Sequence, residues 1–272
     1  MDGARRSEFR WLEQGEGEPV LFLHGLMGQM HHWDTVIEGL APSYRAMALT
    51  MPILDAALAD VSVGGLTDHV LGFLDALDIP RAIVGGNSLG GLVALMLAMA
   101  HGDRVSGLIL SGSPGLPEPG VTQRPWRRPS REYVRRKMEE AVFDPSLISE
   151  AWVDSMREVM ATPVSALRVL RFARDARRHD VADGLGTLAV PTLLAWGRED
   201  RITSPEIAER FKALIPDAQL TFLARCGHMP MLERPVAFTE AVVDWLEATR
   251  ERRIRCTGET IVRAKAPAPG GG

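Results

Sequence analysis

The chain has 272 residues, of which 46% are hydrophobic and 24% are charged, and its formal net charge at pH 7 is −4. These values are typical of a globular protein and exclude a collagen-like, fibrous or extensively disordered chain. The negative net charge and the aromatic content of 6% argue against a nucleic-acid partner, which would require a basic or aromatic surface. At this length we expect one α/β domain with an insertion.

The two cysteines, Cys226 and Cys256, are too few for a disulfide framework and do not form a metal-binding pattern. The first residues lack the apolar segment of a signal peptide. The longest apolar run, 92–100, is far shorter than the roughly 20 residues that a membrane span needs. We therefore expect a cytoplasmic protein without a membrane span, a cofactor or a metal site.

Short apolar runs alternate with helical patterns along most of the chain. The strand-like runs lie at 19–25, 44–50, 82–86, 105–112, 190–197 and 218–224. The helical patterns lie near 31–41, 66–78, 89–101, 205–214 and 235–249. Continuous apolar strands that alternate with helices indicate a parallel sheet that is covered on both faces. Ligands bind such a sheet at the carboxyl ends of its strands.

The alternation stops between about 115 and 187. This segment opens with a Pro- and Arg-rich stretch, and three helical patterns follow it, near 130–142, 146–160 and 163–178. We predict that 115–187 is a helical insertion that forms a lid over the strand ends of a core made of 1–114 and 188–249. The last stretch, 250–272, lacks apolar periodicity and is predicted to be a disordered tail.

A Gly-x-Ser-x-Gly-Gly sequence at 86–91 lies between the apolar run 82–86 and the helical pattern that follows. At a strand-to-helix turn of this kind, small residues let the two elements approach while the serine hydroxyl points outward, next to the helix N-terminus. The motif alone is weak evidence, since glycine-rich turns before helices are common. Its position between the two elements makes Ser88 a candidate nucleophile.

A serine nucleophile needs a base, and the base needs an acid that orients it. Two loops that follow predicted strands contain these residue types. Glu199 and Asp200 follow the run at 190–197, and His228 follows the run at 218–224. Because both strands are expected to be parallel to the one before Ser88, all these side chains should meet at one edge of the sheet.

Four motifs, in this order, resemble the α/β-hydrolase family: HGLMG at 24–28, GNSLGG at 86–91, WGREDRITSP at 196–205 and CGHMPMLERP at 226–235. The resemblance covers about residues 7–249. It implies an α/β-hydrolase fold, which is a mostly parallel doubly wound sheet with an inserted α-helical cap. The cap would correspond to the segment 115–187.

The resemblance also implies roles for the candidate residues. Ser88 would be the nucleophile, His228 the general base and then the general acid, and Asp200 the group that orients the imidazole. Glu199 is then expected to be a solvated loop carboxylate.

An oxyanion hole needs two preorganised donors, and each is worth about 3 to 4 kcal/mol of the barrier. The backbone N–H of Leu89, directly after the candidate nucleophile, should supply one. The backbone N–H of Leu26 would supply the second, by resemblance to the family's HGxxG loop. His24 in this loop is expected to brace it and to take no part in the reaction. His31, His32 and Trp33 extend the loop, and they either line the pocket or pack with one histidine exposed and the tryptophan inside.

Two stretches depart from the family pattern. At 49–62 the chain reads LTMPILDAALADVS where many relatives have D-x-x-G-x-G, which predicts a different wall next to the site. Only SEFRWLEQ at 7–14 is available for the hairpin that usually precedes the HG motif. This leaves open whether the first strand is present.

The serine excludes related dehalogenases and epoxide hydrolases, which use an aspartate at this position. The favoured activity is hydrolysis of a small-molecule carboxylic ester through an acyl-enzyme. The alternative is a carbon-carbon bond hydrolase that acts on vinylogous diketo acids, the meta-cleavage products, because Asn87 and Cys226 resemble that branch. Met229 departs from it, since those enzymes usually have a tryptophan after the histidine. A non-catalytic binding protein with the same fold is a further possibility.

An arginine stripe in the insertion bears on this choice. Arg168, Arg171, Arg174 and Arg178 fall on one side of a predicted helix, with apolar residues on the other. The favoured interpretation is a solvated basic face. If one of these arginines reached the pocket instead, it could hold a substrate carboxylate, and an anionic substrate would be favoured.

Overall fold

A computed structural model describes residues 8–55, 57–117 and 130–256. Its centre is a seven-stranded sheet with the order β1-β3-β2-β4-β5-β6-β7. The strands are β1 (Trp11–Gln14), β2 (Glu18–Leu23), β3 (Tyr44–Leu49), β4 (Ala82–Asn87), β5 (Val105–Ser111), β6 (Thr192–Gly197) and β7 (Ala218–Leu223). All neighbours in the sheet are parallel except β1, which is antiparallel to β3.

Helices cover the sheet on both faces. The core helices are α1 (Asp34–Leu40), α2 (Val63–Ala76), α3 (Leu89–Ala100), α8 (Pro205–Leu214), α9 (Pro230–Glu233) and α10 (Pro235–Cys256). Along β2, Leu21 and Leu23 belong to the apolar core under α2, α3 and α8, whereas Val20 and Phe22 belong to the core under α1 and α10. Successive strand residues point to opposite faces of the sheet. A strand with apolar residues at every position is therefore buried on both faces. The predicted doubly wound, mostly parallel sheet is thereby confirmed.

The described part of the chain between β5 and β6 contains helices joined by loops and no strand. It forms α4 (Arg131–Ala141), α5 (Glu150–Val159), α6 (Pro163–Ala176) and α7 (Ala182–Leu185). The side chains of Ser130, Ser149 and Thr162 each accept a hydrogen bond from a backbone N–H of the first turn, which explains where the first three helices begin. The predicted Pro- and Arg-rich entry lies largely at 118–129, outside the described residues.

Helix α6 is fastened to the core by a buried arginine. Arg168 is only 8% exposed, and it donates from Nε to the carbonyl of Ile53 (2.9 Å) and from Nη1 to that of Leu58 (3.2 Å). Nearby, Asp175 accepts a hydrogen bond from the Val63 N–H at the start of α2 (2.7 Å). The expectation of a fully solvated basic face is therefore wrong at its first member, because that arginine binds core carbonyls.

The other three members of the stripe, Arg171, Arg174 and Arg178, are exposed. The solvated face that the sequence predicted is therefore present at these positions.

The structure answers the open question about the first strand and corrects the predicted tail. The segment 7–14 does supply a first strand, the four-residue β1. At the other end, α10 continues to Cys256, so residues 250–256 are helical and do not form a tail. Arg253 explains the extension, since its buried guanidinium forms an ion pair with Glu18 (2.9 Å). No helix in the described part of the chain is long and apolar enough to cross a membrane.

Candidate active site

Ser88 lies at the turn between β4 and α3 with φ 55° and ψ −122°, a backbone conformation that non-glycine residues rarely adopt. Two glycines make the turn possible. A Cβ on Gly86 would lie 2.3 Å from the carbonyl carbon of Gly90, and a Cβ on Gly90 would lie 2.2 Å from the Leu23 oxygen. The Ser88 N–H donates to the Ser111 carbonyl (2.8 Å), which fixes the turn to β5. The motif thus forms the expected sharp strand-to-helix turn.

His228 and Asp200 form a buried pair at the same edge of the sheet. His228 Nδ1 lies 2.9 Å from Asp200 Oδ2. The other carboxylate oxygen, Oδ1, accepts hydrogen bonds from the N–H groups of Ile202 (2.8 Å) and Thr203 (3.0 Å). With Oδ2 accepting a hydrogen bond from Nδ1–H, the imidazole has its Nε2 lone pair available for a proton from another group.

Contacts from the serine turn reach the loop 224–229 between β7 and α9, which contains His228 and is called the histidine loop below. Asn87 Nδ2 donates to the His228 carbonyl (2.8 Å) and to the Ser111 carbonyl (3.2 Å). Gly112, directly after β5, packs against the imidazole so closely that a Cβ there would lie 2.7 Å from His228 Cε1. The structure therefore brings Ser88, Asp200 and His228 together at the carboxyl edge of the sheet.

Glu199 does not have the solvated position that the sequence predicted. It is half-buried, and its Oε2 accepts a hydrogen bond from the Cys226 N–H (2.9 Å). Asp200 is thus the carboxylate at the imidazole, while Glu199 binds the backbone of the histidine loop.

The loop 24–28 lies beside Ser88. A Cβ on Gly25 would be 3.2 Å from Ser88 Cβ. The backbone N–H of Leu26 lies in this loop, and that of Leu89 belongs to the first residue of α3, where a helix has no internal acceptor. Both N–H groups predicted as oxyanion donors therefore belong to segments that flank the serine.

His24 holds the loop in place. Its Nε2 accepts from the Met51 N–H (2.9 Å), and its Nδ1 lies 2.8 Å from the Gly25 carbonyl. Burial lowers the pKa of His24 to about 4, so the ring is neutral at pH 7 and can donate from one nitrogen while it accepts at the other.

A cavity of about 990 Å³ borders this loop. Its lining is largely apolar and rich in methionine, with Met27, Met30, Met51 and Met156 among the lining residues. Met156 belongs to α5, so the insertion forms part of the wall. The stretch after β3 that differs from the family pattern supplies another part of the wall, with residues 50–55, 57 and 58.

The charged and polar lining is concentrated at other points of the cavity. Glu8 and Arg10 line it just before β1, and Asp55 lines it from the loop after β3. His31 also lines it, whereas Trp33 is fully buried and stacks on Phe22 with ring centroids 4.6 Å apart. The sequence left open whether Trp33 lines the pocket or packs inside, and the structure places it inside the core.

Cys226 is a buried free cysteine in the histidine loop, two residues before His228. Burial raises the pKa of its thiol well above the ordinary value. A neutral, buried thiol is a poor nucleophile, so this cysteine does not compete with the serine.

Two carboxylates hold the histidine loop, Glu199 and Glu233, and the sequence predicted this role for neither of them. Glu233 accepts hydrogen bonds from the N–H groups of Gly227 (3.0 Å) and Met229 (3.1 Å). Only the proximity of Glu233 to His228 in one motif could have indicated this, because a carboxylate in a sequence does not reveal which donors it meets.

Comparison with known proteins finds a family match and related hydrolases. Residues 20–241 match the model of the alpha/beta hydrolase family. A 2-hydroxy-6-oxononadienedioate/2-hydroxy-6-oxononatrienedioate hydrolase of Cupriavidus pinatubonensis is 32% identical, with 90% of this chain and 92% of the relative covered. A 2-hydroxy-6-oxo-6-phenylhexa-2,4-dienoate hydrolase of Burkholderia cepacia is 30% identical, with 86% and 89% covered.

Solved structures agree with these relatives. An alpha/beta hydrolase enzyme from the metagenome of lagoon sediments of Mar Chica, Morocco, is 30% identical, has a TM-score of 0.73, and the similarity covers 89% of this chain and 96% of that one. The meta-cleavage product hydrolase CumD of Pseudomonas fluorescens is 26% identical, with a TM-score of 0.77 and coverage of 89% and 94%. The chain is thus a hydrolase that belongs to the alpha/beta hydrolase family.

Proposed function

We propose that this hydrolase cleaves a carbon-carbon bond in vinylogous diketo acids of the 2-hydroxy-6-oxodienoate class. The proposal rests on which enzymes these relatives are. The enzymes from C. pinatubonensis and B. cepacia are at least 30% identical over most of both chains, and their names specify such substrates. The sequence favoured a carboxylesterase, which is now the second candidate. The carbon-carbon bond hydrolase, which was then the alternative, is now the first.

The chemistry explains why one site can serve either reaction. An ester has an alcohol as its leaving group, whereas a ketone has none unless the departing carbon can delocalise its electron pair. In the keto tautomer of a vinylogous diketo acid, that pair moves along the conjugated chain to the distant carbonyl oxygen. The products are a carboxylic acid and a dienol acid, after addition of one water.

We assign the steps to the residues at the strand ends. Ser88, or a water in its place, attacks the ketone carbon, and His228 Nε2 takes the proton of the attacking group and returns it to the departing dienolate. When Ser88 is the attacking group, a water then hydrolyses the acyl ester on Ser88 and releases the carboxylic acid. Asp200 accepts the Nδ1–H bond and stabilises the imidazolium that forms. The N–H groups of Leu26 and Leu89 stabilise the oxyanion, which develops beside Ser88.

The insertion would act as the cap of this site. Met156 and Val159 of α5 line the cavity together with residues of the loop 24–31, and Gly25 of this loop packs against Ser88. Removing water from this cavity strengthens the electrostatic interactions of the oxyanion donors.

One observation favours the carboxylesterase. The lining is mostly apolar, and none of the arginines in the described stripe at 168–178 belongs to it. Arg168 lies behind the cavity wall, since its partners Ile53 and Leu58 are themselves lining residues. A neutral acyl group would suit such walls. The carboxylate of an anionic substrate would instead have to bind Arg10, which also lines the cavity.

The deciding experiment compares kcat/KM for three substrates: a phenyl-substituted 2-hydroxy-6-oxodienoate, a dienedioate and a neutral nitrophenyl ester. Ser88→Ala is the blank, and Ser43→Ala, at an exposed serine, is the matched control. We expect both dienoates to exceed the ester by about 100-fold or more, a difference of about 3 kcal/mol in the transition state. Faster turnover of the ester, with no loss of dienoate absorbance, would identify a carboxylesterase.

A further inference from the structure

Glu233 is a buried carboxylate that binds only backbone N–H groups in the described part of the chain. It lies at the end of α9, five residues after His228, and is 8% exposed. Both of its oxygens lie 3.0 Å from the Gly227 nitrogen, and Oε1 also accepts from Met229 (3.1 Å). The N–H groups on either side of His228 are thus bound by one side chain.

The same carboxylate also binds the insertion. Glu233 Oε2 accepts a hydrogen bond from the Phe143 N–H (2.7 Å), just after α4. The His228 N–H donates to the Ala141 carbonyl (2.8 Å). Gly227 approaches this segment so closely that a Cβ there would lie 2.8 Å from the Ala141 oxygen. The histidine loop and the residues 141–143 therefore form one hydrogen-bonded unit.

A carboxylate in such a place is costly unless its charge is compensated. In the described residues, no lysine, arginine or histidine forms an ion pair with Glu233. Its hydrogen-bond partners are the N–H groups of Gly227, Met229 and Phe143. A side chain with only a packing role would fill this space without that cost.

We propose that Glu233 is a positioning residue that aligns the His228 imidazole and makes this alignment depend on docking of the insertion. The inference rests on the proposed function in that it takes His228 as the base. When the Phe143 N–H leaves Glu233, Oε2 keeps only its bond with the Gly227 N–H, and the carboxylate that binds the backbone around His228 is held less firmly.

Glu233→Gln is the appropriate test, because it preserves the shape of the side chain. One of the two oxygens becomes an NH₂ group, which must face an N–H donor of Gly227, Met229 or Phe143. Glu240→Gln makes the same chemical change at an exposed position of α10 and is the matched control.

The readout is the second-order rate constant for labelling of Ser88 by a serine-directed phosphonate, together with kcat and KM for a nitrophenyl ester. Since a displacement of about 1 Å costs roughly 100-fold, we expect Glu233→Gln to lower the labelling rate and kcat by about 10- to 100-fold. KM should stay within about twofold, because the cavity walls are unchanged. Labelling at the wild-type rate would overturn the proposal.

Proton NMR supplies a readout that needs no turnover. The His228 Nδ1 proton, held by Asp200, should give a low-field resonance that shifts or broadens in Glu233→Gln and not in Glu240→Gln. In the wild-type protein, the amide protons of Gly227, Met229 and Phe143 should exchange with solvent at one common slow rate. Exchange of Phe143 independently of the other two would overturn the coupling, even if the variant failed to fold.

These outcomes separate the two proposals. If the dienoates are not cleaved but Glu233→Gln slows phosphonate labelling, the proposed substrate is wrong and the positioning role stands. If the dienoates are cleaved and the variant labels normally with an unchanged His228 resonance, the substrate stands and the positioning role is wrong.

Discussion

Gly112 offers a sharp test of whether the position of the imidazole limits activity. The residue follows β5 with φ 55°, and a Cβ there would lie 2.7 Å from both Cε1 and Nδ1 of His228. In Gly112→Ala the ring must move by about 0.7 Å to restore an ordinary contact of roughly 3.4 Å between carbon atoms. If a displacement of 1 Å costs about 100-fold in rate, this shift predicts a loss of roughly 25-fold in kcat.

The same substitution has a separate effect on stability. A non-glycine residue in this left-handed conformation costs about 1 to 2 kcal/mol, which we expect as a loss of unfolding free energy in urea. Gly186→Ala is the matched control, because Gly186 has φ −64° and a Cβ there would meet nothing within 4 Å. Turnover of a nitrophenyl ester measures the first effect and urea titration the second.

The reasoning would be refuted by a Gly112→Ala enzyme that loses the expected stability but retains the kcat of the Gly186→Ala control. Such a result would mean that the imidazole yields to the methyl group without losing its alignment. A fall in kcat with an unchanged pairing of His228 and Asp200, seen in a crystal structure of the variant, would equally contradict the proposed cause.

Two further predictions concern the walls of the site. Burial lowers the pKa of His24 from 6.5 to about 4, so the stability that its neutral form provides is complete above pH 6.5 and declines as the pH falls toward 4. At 1.36 kcal/mol per pKa unit, the unfolding free energy should fall by about 3 kcal/mol over this range. This part of the decline should be absent in His24→Gln and present in the exposed control His31→Gln, measured by urea unfolding at several pH values; identical profiles would contradict it. Arg168→Met should lower the unfolding free energy by about 2 kcal/mol and raise KM, because charged hydrogen bonds to two wall carbonyls are lost, whereas the exposed Arg171→Met should change stability by less than about 0.5 kcal/mol. Unaltered KM in Arg168→Met would show that these bonds do not shape the cavity.

The fold was predictable because its signals are local and repeated. The run at 82–86 has no polar side chain, as a strand buried on both faces requires, and the glycines of the motif mark the turn that follows it. Asp200 and His228 could be located for the same reason, since each follows a buried strand, and parallel strands end at one edge.

The remaining features depend on contacts between distant parts of the chain. Arg168 belongs to a stripe of arginines with identical local patterns, yet only this one meets the carbonyls of Ile53 and Leu58, more than 100 residues away. The end of α10 was misjudged likewise, because the partner of Arg253 is Glu18 at the other end of the chain. Helical periodicity contains no information about either partner.

The direction of β1 places the residues before it next to the cavity, where substitutions can change substrate selectivity. As the one antiparallel strand, it starts where its neighbours finish, with Trp11 opposite Leu49. Residues 8–10 therefore enter the sheet at the same rim as the reactive groups and line the cavity. Substitutions in this short leading segment can change which molecules fit while leaving the turn at Ser88 and the pairing of Asp200 with His228 untouched. Directed evolution of selectivity can begin at Glu8 and Arg10, which are exposed, whereas Phe9 packs against the core.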